Sequence, residues 1–70
     1  MPAGWSFSGI LHELKGGRFA RRDGWEEGHV IYVMFAGRGA RIMEIINGGT
    51  AAEWAPTSAD LMADDWWVIL

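Results

Sequence analysis

Arg21, Arg22 and Trp25 flank an Asp23-Gly24 turn signal. A guanidinium holds phosphate oxygens through two parallel hydrogen bonds, and an indole stacks on a nucleobase. Arginine beside an exposed aromatic is therefore a sensible nucleotide-binding pair. On spacing alone the plainer reading, surface arginines next to a core tryptophan, is preferred. A second group, Trp54, Thr57 and Asp60, offers an aromatic wall, a hydroxyl and an acid. Its plainer reading puts Trp54 in the core and uses Thr57 and Asp60 to cap a helix, and for those two residues capping is favoured. A helix start also attracts anions, so the amides of Ser58 and Ala59 could assist with phosphate. Tyr32 and His29 fall on a strand pattern and could line a pocket; on the plainer and preferred reading one is expected in the core and the other in solvent. Asp64 and Asp65 are adjacent, so on a strand they would face opposite ways and make a poor catalytic dyad. His12 falls off the apolar stripe of its helix and reads as a solvated residue.

Enzyme signatures are thin. The chain has no cysteine, and it carries no G-x-S-x-G elbow, no P-loop and no H-E-x-x-H. The histidines read His12-Glu13-Leu14 and His29-Val30-Ile31, which are not the paired H-x-[ST] motifs of two-histidine phosphoesterases. No carboxylate and histidine cluster that would hold catalytic ions is apparent. A degrading enzyme using Asp60, Asp65 or His29 as acid or base therefore ranks below a binding protein. No metal and no cofactor is implied.

Seventy residues make one small domain, expected to span residues 1 to 70. A chain this short buries only about 60 % of its unfolded surface, and without cysteine it has no disulfide to help. Half of the residues are hydrophobic, with five Trp and three Phe, more aromatic surface than a monomer of this size hides easily. Small scaffolds without staples often oligomerise, so a homo-oligomer is expected. The net charge of −3 argues against binding long DNA or RNA, which needs a broad basic face. It leaves room for a small nucleotide held by one or two local arginines. No apolar run approaches a membrane span and no signal peptide is visible, so the expected location is the cytoplasm.

Several elements must position these groups. Met1 to Gly4 reads as a loose end. Phe7, Ile10, Leu11 and Leu14 follow the i, i+3, i+4, i+7 spacing of one helix face. Ser6 or Ser8 caps the start, and Gly16-Gly17 stops it. Arg18 to Arg22 reads as a short strand with Phe19 inward. His29 to Ala36 is the strongest strand pattern, apolar on both faces. It needs cover on both: the helix supplies one, and a partner chain is expected for the other. Gly37 to Gly39 is a three-residue hairpin link, Arg41 to Ile46 the return strand, and Asn47 to Gly49 another turn. After Pro56, Thr57 acts as N-cap with Asp60 as the reciprocal acid of a capping box, and Leu61 and Met62 turn inward. Asp64-Asp65 ends this short helix, with Asp65 capping the turn, and Trp66 to Leu70 forms the final strand. The helix is too short to stand alone, so Trp54 and Trp66 are expected to pin it. The sum is an α+β fold: one N-terminal helix on an antiparallel sheet of about four strands, with a short helix before the last strand.

The segment Trp54 to Trp66 fits W-x-P-[ST]-x-x-D-L-x-A-x-D-W. Upstream, Phe7, Ile10, Leu11, Leu14, Gly17, Phe19, Arg22, Gly24 and Trp25 fit F-x-x-[AI]-L-x-x-L-x-x-G-x-x-[VF]-x-R-x-G-W. Together these resemble a small phage-encoded family, the Thoeris anti-defence proteins of the second type, over nearly the whole chain. Thr57 stands where serine is commoner, Glu26-Glu27 follows Trp25 where small or amide residues are usual, and the central loops are short. The resemblance implies a cytoplasmic sponge, not a catalyst. Such a sponge is a symmetric homo-oligomer, often a tetramer, with pockets between subunits that sequester a cyclic nucleotide immune signal such as a cyclic ADP-ribose isomer. It implies that Phe7, Trp25 and Trp54 are aromatic walls and that Arg22 meets phosphate. Thr57 and Asp60 would lie near ribose or simply hold their loop.

Overall fold

The structure, a computed structural model, describes residues 4 to 69. Met1 to Ala3 and Leu70, assigned above to a loose end and to the final strand, lie outside the described residues. Gly4 is not loose. A side chain there would collide with the backbone of Asp65 and Trp66. Trp5 exchanges two backbone hydrogen bonds with Trp66, 2.8 and 3.1 Å.

The chain runs α1 (Phe7–Lys15), β1 (Phe19–Arg22), β2 (Val30–Ala36), β3 (Gly39–Ile45), β4 (Ala52–Glu53), α2 (Ser58–Met62) and β5 (Trp66–Ile69). Ser6 caps α1 by accepting from the Gly9 amide. Gly17 takes the positive φ (95°) that lets the chain reverse after the helix. The five strands form one antiparallel sheet in the order β4-β3-β2-β1-β5, giving an α+β architecture. Its fifth strand is the two-residue β4, which pairs with Met43 and Glu44 and is too short to show a period in sequence. The β2–β3 link has two residues, not three. Ala36 pairs with Gly39, and Gly37 adopts the positive φ (59°) that tight primed turns need.

α1 covers one side of the sheet. Ile10 and Leu14 from the helix meet Ala20, Ile31 and Trp66 from the strands, all five wholly buried, with Trp54 closing the end. Cross-strand partners share a face. The pairing of Ala20 with Ile31 and with Val68 therefore fixes which residues of β1 point toward α1. That register turns Phe19 outward, against the expectation of an inward ring. It lies 5.1 Å from Tyr32 on the side away from the helix and is 40 % exposed. A methyl group, Ala20, fills the narrow space beneath the helix instead. The outer side holds Phe19, Tyr32, Met34, Met43, Trp67 and Ile69 by the same register, together with the charged Arg21, Arg41 and Glu53, with no other element of the described chain across it.

Leu61 and Met62 also differ from expectation. Both are exposed, and none of the five residues of α2 is buried. A helix of little more than one turn cannot present a full apolar stripe. α2 is attached through Asp60 instead, as described below. No helix among the described residues is long and apolar enough to cross a membrane.

These assignments separate two hydrophobic residues that sequence places in one motif. Met62→Gln is expected to change stability by no more than about 0.5 kcal/mol, whereas Trp66→Ala costs about 3–5 kcal/mol. Urea denaturation of the two variants checks both values.

Candidate functional site

Trp66 is the centre of an aromatic cluster. Phe7, Trp25 and Trp54 surround it at ring separations of 5.4, 5.2 and 5.7 Å, each ring set steeply to the Trp66 indole. Edge-to-face packing of this kind adds about 0.5–1.5 kcal/mol per pair beyond the area buried. Phe7 also lies 5.7 Å from Trp54. The three rings expected to form walls thus come together, although they are 47 residues apart along the chain at the extremes (54 minus 7). Their access to solvent differs. Trp54 is 7 % exposed and belongs to the core, while Phe7 and Trp25 are half-buried at its margin.

Polar groups frame the same end. Thr57 is the N-cap of α2. Its hydroxyl accepts from the Asp60 amide (3.1 Å) and its own amide donates to Asp60 Oδ2 (2.9 Å), completing the capping box. The Asp60 carboxylate therefore already fills the place at the helix start that an external anion would take. The Asp60 carbonyl accepts from Trp66 Nε1 at 3.0 Å, which ties α2 to the central indole.

Arg22 joins three elements. Its Nε donates to Asp65 Oδ1 (2.9 Å), Nη2 to Asp65 Oδ2 (3.4 Å) and Nη1 to Asp60 Oδ1 (3.0 Å). Three of the five N–H bonds of the guanidinium are thus spent on protein carboxylates, and its charge is offset locally. Asp65, expected to cap a turn, is an arginine partner instead. The hydrogen bond to Asp65 raises the Arg22 pKa above its ordinary value against the opposing effect of burial, with Asp60 adding to the rise. Burial pushes the Asp60 pKa up, but the Thr57 amide, Arg22 and the Thr57 hydroxyl together outweigh it and hold the carboxyl below its usual range. Arg21 faces the other way and donates from Nη2 to the Trp25 carbonyl at 2.7 Å, bracing the turn.

All six residues singled out from sequence, Phe7, Arg22, Trp25, Trp54, Thr57 and Asp60, are linked by direct contacts or through Trp66. His29 and Tyr32, expected one in the core and one in solvent, are both half-buried, and His29 joins this end with Glu44, a neighbour that spacing did not place. His29 stacks on Trp25 and pairs with Glu44 across the sheet, and a contact between strands fifteen residues apart leaves no local signal. Among the described residues no three His, Asp or Glu side chains converge to hold a metal ion. A hollow of about 480 Å³ lies elsewhere, lined by Met34, Ala36, Gly39, Ala40 and Arg41 at the far end of β2 and β3. It has no aromatic ring in its lining, so the aromatic end remains the better site for a planar ligand.

The family model of the Thoeris anti-defense 2-like domain matches residues 5–69. The chain belongs to this family. Its role is therefore an anti-defence one. The match begins at Trp5, which pairs with Trp66, and runs through the last described strand. Every contact of the aromatic end thus falls within the Thoeris anti-defense 2-like domain. None of the curated proteins compared with the chain matches it.

The ionised Asp60 contributes stability that is present above the unfolded carboxylate value of about 3.9 and is lost as pH falls through its lower folded value. Asp60→Asn is expected to cost about 1–3 kcal/mol at pH 7, the scale of hydrogen bonds to a charged group. The difference between variant and native protein should shrink between pH 4 and pH 2, as urea denaturation followed across that range will show.

Proposed function

We propose that the protein is a sponge. It captures a cyclic nucleotide immune signal, such as a cyclic ADP-ribose isomer, in the host cytoplasm and withholds it from its effector without turning it over. The observation that carries this reading is the half-buried Trp25 indole, held at the rim of an aromatic cluster whose central Trp66 also donates to the Asp60 carbonyl of α2. A nucleobase stacks on the open part of such a ring. Phe7 continues the apolar wall. Thr57 is exposed at the start of α2, within reach of a ribose placed there, while its hydroxyl serves the cap. Membership in an anti-defence family gives such capture a purpose. The acids and the imidazole at this end are each engaged structurally: Asp60 with Thr57 and Arg22, Asp65 with Arg22, and His29 with Glu44. That suits retention of a ligand better than proton transfer to it. With Arg22 offset by two carboxylates, its two remaining N–H bonds contribute direction rather than net charge toward a phosphate.

The sponge acts as a homo-oligomer. The outer side of the sheet supports this, because Phe19, Met34, Trp67 and Ile69 are each 37–42 % exposed there around Tyr32 and Met43. An apolar sheet side of this kind is stable when a second sheet covers it at about 10 Å. The same observation favours a second reading, a self-associating module that takes no nucleotide. It predicts no thermal shift with any cyclic nucleotide.

Trp25→Ala is expected to weaken binding of the cyclic ADP-ribose isomer made by a TIR-domain enzyme by about 1–3 kcal/mol, roughly 5- to 150-fold. Calorimetry measures this, and mass spectrometry of the released ligand should find it chemically unchanged. Undiminished affinity would remove the site. Separately, Phe19→Asp is expected to yield a folded monomer by native mass spectrometry, since the ring contributes nothing to the core beneath α1.

A further inference from the structure

Trp25 sits on a turn, with the Trp66 and Trp54 rings set edge to face against it at 5.2 and 6.5 Å. Its amide donates to the Arg22 carbonyl (3.1 Å) and its carbonyl accepts from Arg21, but neither contact orients the ring. His29 makes the face-to-face contact with the ring. The imidazole lies flat on the indole, with centroids 3.9 Å apart and planes 9° from parallel. His29 is itself fixed at two points. Its amide donates to the Glu26 carbonyl at 3.0 Å, and its Nε2 lies 2.6 Å from Glu44 Oε2. An ionised carboxylate only accepts, so Nε2 carries the proton of this bond. Glu44 is paired across the sheet with the buried Ile31, and its side chain is 23 % exposed. A carboxylate is costly in such a place without a partner, and the partner it has is this imidazole.

We propose that Glu44 and His29 are positioning residues of the binding site: Glu44 sets the plane of the His29 ring, and His29 holds the Trp25 indole in the orientation that receives a planar ligand ring. The inference deepens the sponge reading and rests on it for the ligand, a nucleobase-bearing cyclic nucleotide. Three flat groups then form a column, with the base outermost, Trp25 in the middle and His29 beneath, footed on a carboxylate of the neighbouring strand. The arrangement prepays the ordering of a large side chain that a ligand would otherwise have to immobilise at binding. His29 and Glu44 need not touch the ligand.

The test uses the full chain labelled with 5-fluorotryptophan. The Trp25 resonance is assigned by its loss in Trp25→Phe. In Glu44→Ala this resonance should shift and broaden, while in Glu44→Gln, whose side-chain carbonyl still accepts from Nε2, it should return toward the native position. Affinity for cyclic ADP-ribose, used as the probe, should fall about 2- to 10-fold in Glu44→Ala, the penalty for ordering one side chain at binding, and recover in Glu44→Gln. Urea denaturation of each variant verifies that it is folded. A native Trp25 resonance in Glu44→Ala, or native affinity, would overturn the proposal. Failure of the native protein to bind the probe or the TIR-domain product would count against the sponge reading alone, and the fluorine spectra would still decide whether Glu44 sets the indole.

Discussion

Trp66 is wholly buried in a chain with little interior to spare. Enclosing one tryptophan removes about 150–250 Å² from water, worth roughly 4–6 kcal/mol at about 25 cal/mol per Å² before ordering costs. That is comparable to the whole net stability of many small domains. The cost of hiding the indole N–H is met by the Asp60 carbonyl. Through this one side chain the start of α1, the turn after β1, the segment before α2 and the final strand are held together. The two backbone bonds between Trp5 and Trp66 add the stretch preceding α1. The candidate site is the rim of this packing, so whatever the rim binds is presented directly by the core of the fold.

Arg22 supplements the indole from outside. It links the end of β1 to α2 and to the residue before β5, and it supplies the attachment that α2 lacks in apolar contacts. Its side chain is 24 % exposed, so water screens the pairs in part. The geometry matters as much as the energy. A fork engaging two carboxylates fixes three backbone segments at once, and lysine could not reproduce it.

The local features were legible in the sequence, and the features that depend on pairing were not. The helix face of Phe7, Ile10, Leu11 and Leu14, the stop at Gly16-Gly17, and the Thr57 and Asp60 capping box all follow from residues within a few positions of one another. So does the turn at Asn47 and Gly48, both at positive φ (52° and 74°). Phe19 was misplaced because a four-residue strand has no parity of its own. Its register is dictated by β2 and β5, one of which arrives some fifty residues later. Leu61 and Met62 were misplaced because an apolar pair suggests burial even where the helix is too short to reach the core. The rings that cluster around Trp66 were singled out by type and by motif. The Arg22 pairs and the contact of His29 with Glu44 were not, because no local pattern joins position 22 to 60 and 65, or 29 to 44.

The strand order carries a consequence for biosynthesis. β1 lies between β2 and β5, so on one side its neighbour emerges promptly and on the other it emerges after all the remaining strands. At about 5–20 residues per second, the edge of β1 waits a few seconds for β5, and the Phe7, Trp25 and Trp54 rings have no common centre until Trp66 is made. Arrival of Trp66 supplies the missing strand and the missing ring together. Completion of the sheet and closure of the aromatic end are therefore a single late event in the life of each new chain.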